Sequence, residues 1–159
     1  MNGPETAHSD VPLLEALEPR LLLTGSALIT EFMASNDVTL LDGDANSSDW
    51  IEIYNPTDAP VDLAGWSLTD DADDLDQWSF PSGGSVDITL DPGEYMVVFA
   101  SGQDNDDYPY DDGTYYHTNF KLSTNDGDQH ESVLLVRPGG AIEHGYIDYP
   151  LQLTDVSYG

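Results

Sequence analysis

The sequence predicts an all-β fold, a β-sandwich of many short strands, and three observations support this prediction. Apolar residues alternate with polar or aromatic ones over short stretches, most clearly in Trp50–Asn55, where Ile51 and Ile53 occupy alternate positions. Turns that contain glycine or proline separate these stretches at close spacing. No segment after Ser26 has a helical period of useful length, while the hydrophobic fraction of 39% is enough to fill one core. Short strands separated by such turns are typical of a sandwich.

The predicted strands cover most of the chain after Ser26. In order they are Leu28–Phe32, Trp50–Asn55, Val61–Leu63, Trp66–Thr69, Trp78–Phe80, Val86–Leu90, Tyr95–Ala100, Ser132–Arg137 and Ala141–Ile147. Asp91–Gly93 has the residues of a tight turn, and Pro138–Gly140 predicts a hairpin between the last two strands.

Composition divides the chain into three parts. Residues 1–25 are predicted to form a flexible N-terminal arm, in which Pro12–Leu17 has the composition of a short helix that Pro19 ends. Residues 26–149 are predicted to form the sandwich. Residues 150–159 are predicted to be a C-terminal tail that continues into the neighbouring domains of a longer protein.

Acidic residues dominate the charge. The chain has 31 aspartates and glutamates against 3 lysines and arginines, for a formal net charge of -28. Binding of nucleic acid needs basic groups opposite the phosphates, and an anionic membrane surface repels such a chain, so neither partner is expected. No apolar run is long enough for direct membrane insertion. The chain also has no cysteine, which excludes disulfides and thiol nucleophiles.

Several motifs together resemble one domain family. The segment Asp49–Asn55 reads D-W-I-E-I-Y-N, and it is followed by Val61–Asp70, Trp78–Pro81, Leu90–Tyr95 and Phe120–Ser123. This order resembles the bacterial form of the lamin-tail domain, from about Ser26 to Tyr149. The resemblance implies an immunoglobulin-like β-sandwich. It also implies an accessory, positioning or adhesive role beside other domains.

A second resemblance lies upstream. Leu17–Leu23, L-E-P-R-L-L-L, is similar to a segment near the N-terminus of many large bacterial surface or exported proteins. That resemblance implies a bacterial, extracytoplasmic parent protein, secreted or on the cell surface. The chromatin-linked role of animal lamin tails does not carry over, because the acidity opposes it.

One acidic loop is the best candidate for a metal site. Asp42, Asp44, Asn46 and Asp49 place oxygen ligands at short intervals, which suits a hard cation the size of calcium. The loop is not an EF-hand, since it lacks glycine at the sixth position and glutamate at the twelfth. A solvated acidic loop is the alternative interpretation, and Asp70–Asp76 is a weaker candidate. No other cofactor is expected.

The remaining polar and aromatic residues favour structural roles. Trp50, Trp66 and Trp78 are expected in the core rather than on a sugar-binding platform. Asn55 is expected to cap a turn, and the four histidines have no metal spacing and are expected to be exposed and unpaired. The catalytic G-x-S-x-G motif is absent from the sequence.

These observations predict a non-catalytic accessory or adhesive module, stabilised by calcium where the acidic loop binds it. Its partner is a protein or polysaccharide that the sequence does not name. The alternative is part of a hydrolase, a phosphoesterase or glycosidase, with a carboxylate or metal site.

Overall fold

The structure, a computed structural model, describes residues 26–83, 87–103, 115–127 and 131–159. Within these ranges the chain forms strands and no helix, which confirms the predicted all-β class. None of the described residues forms a helix long and apolar enough to cross a membrane. The strands are β1 (Leu28–Met33), β2 (Asp49–Tyr54), β3 (Val61–Asp62), β4 (Ser67–Thr69), β5 (Trp78–Ser79), β6 (Thr89–Leu90), β7 (Tyr95–Ala100), β8 (Tyr116–His117), β9 (Ser132–Arg137) and β10 (Ala141–Ile147).

Two four-stranded sheets form the sandwich. The first has the order β1-β2-β7-β8 and the second the order β10-β9-β4-β5, while β3 and β6 pair separately. The pairs are antiparallel except for β7 with β8, which is parallel. This arrangement leaves β1 and β10 as the edge strands on which the two sheets meet.

The core lies between the sheets and uses the alternation that the sequence shows. Ile51 and Ile53 of β2 point inward from the first sheet, and Val133 and Leu135 of β9 point inward from the second; none of the four is exposed. A smaller cluster of Met33, Trp50 and Phe99 is buried apart from this core. The period-two pattern of each strand therefore decides which side chains fill the sandwich.

Most predicted strands are confirmed, with small changes at their ends, but of the predicted Val86–Leu90 only Thr89–Leu90 forms a strand, and Val86 lies outside the described residues. The hairpin at Pro138–Gly140 joins β9 to β10, with a hydrogen bond of 3.0 Å from the Gly140 N–H to the Arg137 carbonyl. The sequence does not predict strand β8, because two residues without alternation give no periodic signal. The predicted arm over 1–25, including the helix over Pro12–Leu17, lies outside the described residues.

Residues 150–159, assigned to a tail by composition, lie against the first sheet. The Phe32 and Tyr158 backbones exchange two hydrogen bonds, of 2.9 and 2.8 Å, as an antiparallel bridge on β1. One Asp155 carboxylate oxygen accepts from the backbone N–H groups of Asp37, at 2.7 Å, and Val38, at 3.1 Å. The segment thus covers part of the β1 edge and fixes the turn that follows it.

Candidate functional site

The acidic loop before β2 is organised around the carboxylate of Asp42. This side chain is buried, and its Oδ1 accepts from the backbone N–H groups of Asp44, at 3.1 Å, and Asn46, at 2.8 Å. Asp44 and Asn46 are themselves exposed. Asp42 therefore shapes the loop from within, in the way that aspartate side chains stabilise turns.

Asp49 belongs to β2, and its interactions lead away from that loop. Its Oδ1 accepts from the Asn36 backbone N–H at 3.4 Å, and the Leu122 backbone and the Lys121 ammonium are its other neighbours. Burial raises the pKa of Asp49 from its ordinary value of 3.8 to about 6, against the opposing effect of these donors. Asp49 is thus a half-buried carboxylate with structural partners.

Calcium binding by Asp42, Asp44, Asn46 and Asp49 stays a prediction. Among the described residues, no three histidine, cysteine, aspartate or glutamate side chains are grouped so that they would hold a metal ion. In this conformation Asp42 serves the loop backbone and Asp49 contacts the segment before β9.

The three tryptophans differ in their surroundings. Trp66 is 7% exposed and belongs to the main core, with the Arg137 guanidinium 5.6 Å from its ring centroid. Trp50 is buried in the smaller cluster, and Trp78 is half-buried against the main core. The prediction of packing roles is confirmed, so these rings do not form a flat sugar-binding platform.

Asn55 has the turn-capping role that the sequence predicts. Its fully buried side-chain amide donates to the carbonyls of Ala59 and Leu90, both at 2.9 Å. Its Oδ1 accepts from the Thr57 backbone N–H at 2.9 Å. Asn55 therefore fixes the turn after β2 and connects it to β6.

The prediction of exposed, unpaired histidines is wrong for the two that the structure describes. His117 is buried, and its Nδ1 lies 3.0 Å from the Ser101 hydroxyl. His144 is half-buried and accepts a backbone hydrogen bond from Ile29. His8 and His130 lie outside the described residues. Both Ser101 and His117 are only 6% exposed, so this hydroxyl–imidazole pair lies within the fold.

A cleft of about 440 Å³ opens beside the β9–β10 hairpin. Its charged lining groups are Asp76 and Arg137, and its floor includes Ser67, Ser79 and Val136. The Arg137 guanidinium is already bonded to the Glu143 carboxylate, with 2.7 Å between Nη2 and Oε1. The described part of the lining thus has one carboxylate beside an engaged arginine, whereas glycoside hydrolysis and metal-assisted hydrolysis use several converging acids.

Exposed apolar side chains gather around Asp155. Val38 is 77% exposed, Leu153 61% and Val156 52%. The Asp155 carboxylate accepts from the Val38 N–H at 3.1 Å, which places Val38 beside the C-terminal segment. Leu153 and Val156 flank Asp155 in a turn, in which the Val156 N–H donates to the Leu153 carbonyl at 3.2 Å. We call these three residues the apolar patch. Sequence analysis missed it, because the patch forms only when the C-terminal segment lies beside the turn after β1.

Comparison with known proteins gives one family. The family model of the lamin tail domain matches residues 24–148, a range that contains all ten strands β1–β10. No curated protein matches the chain. This domain is immunoglobulin-like and is generally a non-catalytic module, in agreement with the sandwich described above. The chain therefore belongs to the lamin tail domain family.

Proposed function

We propose that this chain is a non-catalytic contact module of a bacterial surface or exported protein, and that the apolar patch binds a protein partner. The patch carries the proposal. Large apolar side chains that stay exposed together, on a surface that is otherwise strongly acidic, are typical of protein interaction sites.

The charge narrows the class of partner. A net charge of -28 repels acidic proteins and favours neutral or basic ones. Asp37 and Asp155 border the apolar patch and offer acidic groups to such a partner. A basic protein surface that includes apolar residues fits both features.

The extracytoplasmic location rests on a different part of the chain. The L-E-P-R-L-L-L segment at Leu17–Leu23 resembles that of exported bacterial proteins and supports a surface or secreted location. Fractionation of the native host, with the gene tagged at its own locus, tests the location. We expect the protein in the envelope or the medium, and a protein confined to the cytoplasm would contradict this part of the proposal.

Site-specific crosslinking tests the contact role. A photoreactive amino acid is placed at Val38 or Leu153 within the apolar patch, and in a matched variant at the exposed Asp58. In the native host we expect the same protein adduct from both patch positions and not from Asp58. Equal adducts from all three positions, or adducts from Asp58 alone, would contradict the proposal.

An activity assay tests the hydrolase alternative. We expect no turnover of chromogenic phosphodiesters or glycosides, with or without calcium, magnesium or manganese. Turnover that is lost in an Asp76→Asn variant, and retained in Asp58→Asn, would favour the alternative and assign it to the cleft.

A further inference from the structure

The two sheets meet at a seam that side chains close. Strand β1 is the edge of the first sheet and β10 the edge of the second, and no backbone ladder pairs them in the described sheets. Instead, the Ile29 N–H donates to Nδ1 of His144 at 3.2 Å, and the Tyr146 hydroxyl donates to the Ile29 carbonyl at 3.4 Å. Two side chains of β10 thus occupy positions that a neighbouring strand would take on β1.

The bond to Ile29 fixes the state of the His144 ring. An imidazole nitrogen accepts a hydrogen bond only when it carries no proton, so the neutral ring must hold its proton on Nε2. A protonated ring has N–H groups at both nitrogens. It would direct an N–H at the Ile29 N–H, and the hydrogen bond would be lost.

The surroundings of His144 have opposing effects on its pKa. The Glu143 carboxylate is the nearest charge, and it is held by the Arg137 guanidinium and the Ser26 backbone N–H. From β10 the Tyr146 ring lies 5.8 Å from the imidazole, between centroids. Across the seam, Tyr158 contacts Tyr146, and Glu31 of β1 accepts from the Ser157 hydroxyl. Burial lowers the pKa of His144, and Glu143 opposes part of that shift.

We propose that His144 holds this seam closed in a pH-dependent way. Uptake of one proton by its imidazole breaks the hydrogen bond from the Ile29 N–H and opens the β1 edge beside it. Each proton taken up by Nδ1 replaces one hydrogen bond from Ile29. The Phe32–Tyr158 bridge lies further along β1 and uses only backbone groups, so it stays closed. The Ile29 N–H then lacks its partner across the seam, whereas the hydrogen bond from the Tyr146 hydroxyl to the Ile29 carbonyl does not depend on the His144 proton.

The direction of the pH effect follows from the lowered pKa. Above the ordinary histidine value of about 6.5 the ring is neutral in both the closed and the open seam, and the seam has its full stability. As the pH falls from 6.5 toward the lower pKa of the closed form, only the open form takes up a proton. The free energy that favours the closed seam therefore decreases across that pH range and is constant below it.

NMR of the full chain tests the proposal. Nitrogen shifts report the tautomer and pKa of His144, and hydrogen exchange, corrected for intrinsic rates, reports the protection of the Ile29 amide. We expect the Nε2–H tautomer at neutral pH. As the pH is lowered, the protection of the Ile29 amide should fall with the same midpoint as the titration of His144. The loss reaches about tenfold for each unit by which the pKa lies below 6.5.

Two variants separate titration from packing. His144→Asn keeps an acceptor close to the position of Nδ1 but does not titrate, so Ile29 protection should become independent of pH. His144→Phe removes the acceptor, and protection should be low at every pH. His8→Asn is the control for loss of a histidine and should behave as the unmodified chain.

Three results would overturn the proposal. The first is an Nδ1–H tautomer at neutral pH, and the second is pH-independent protection of Ile29 in the unmodified chain. The third is a parallel loss of protection at the amides of β7, because that would mean global unfolding rather than opening of the seam.

Discussion

Asp49 is a carboxylate that the fold half-buries, so its charge works against stability at neutral pH. The folded-state pKa of about 6 lies above the ordinary value of 3.8. Because the folded-state pKa is raised, the protonated Asp49 carboxyl contributes fully to the stability of the fold below pH 3.8. This contribution is lost as the pH rises through about 6. The charge therefore destabilises the chain most above pH 6.

We expect Asp49→Asn to raise the melting temperature at pH 7.5 by about 2–4 °C, the shift that about 1 kcal/mol gives a domain of this size. At pH 3.5 the gain should vanish, since the unmodified carboxyl is then neutral too. The exposed Asp58→Asn is the matched control, because it relieves the same amount of overall repulsion without desolvation. Equal gains for both variants at pH 7.5 would show that burial of Asp49 has no cost.

Trp66 is the residue on which the core should depend most visibly. It is buried in the main cluster and covered by the Arg137 guanidinium. We expect Trp66→Ala to lower the free energy of unfolding by about 3–5 kcal/mol in denaturant titration, through lost burial and the cavity left behind. The half-buried Trp78→Ala should cost less. A loss at Trp66 below that at Trp78 would contradict the packing assignment.

At the scale of strands and turns, the sequence predicts those elements whose signal is local. Trp50–Asn55 alternates cleanly and Pro138–Gly140 contains only turn residues, so the strand and the turn lie within a residue or two of their predicted positions. Strand β8 depends on its parallel pairing with β7, a long-range contact that leaves no periodic trace in Tyr116 and His117. Pairing across the chain, and not propensity, determines such elements.

The candidate sites also differ in whether their contacts are local in sequence or long-range. Asn55 was assigned correctly because its turn partners lie within four residues in sequence. The bond from Ile29 to His144 joins residues 115 positions apart, and no spacing rule connects them. The sequence also does not predict the apolar patch, because Val38 lies near Leu153 only when the Asp155 carboxylate accepts from the Val38 N–H, a contact between distant parts of the chain.

Gly145 is the residue of β10 for which the sheet leaves no space. A Cβ at this position would lie 2.3 Å from the Val133 carbonyl oxygen and 2.8 Å from the Leu134 Cα, both backbone atoms of β9. We expect Gly145→Ala to cost about 1–3 kcal/mol, as overpacking of a close backbone contact does. Gly127→Ala is the control, because nothing lies within 4 Å of its added Cβ. Equal melting temperatures for the two variants would contradict this close approach.

At the scale of the whole molecule, the described sandwich should fold without residues 1–25. Among the residues that the structure describes, the buried members of the main core run from Ala27 to Tyr149. We expect a chain that begins at Ser26, after an initiator methionine, to melt within a few degrees of the full chain, as measured by circular dichroism. A loss of the cooperative transition would show that Leu21–Leu23 contributes to the core.

The net charge of -28 makes any cation stabilising to some degree, so a calcium site must be separated from screening. A ligand that binds only the folded state adds about 2.7 kcal/mol at a hundredfold excess over its dissociation constant, which raises the melting temperature by several degrees. If the loop of Asp42, Asp44, Asn46 and Asp49 binds calcium, millimolar calcium should raise the melting temperature more than magnesium or sodium chloride of matched ionic strength does.

Variants assign that excess to the loop. Asp44→Asn with Asp49→Asn should abolish the calcium-specific part of the shift, whereas Asp58→Asn with Asp91→Asn removes the same charge from exposed positions elsewhere and should retain it. Each variant is compared with itself in the three salts, because Asp49→Asn changes the melting temperature on its own. Equal shifts in all three salts would mean that the acidic loop only solvates the surface, with Asp42 serving the loop backbone alone.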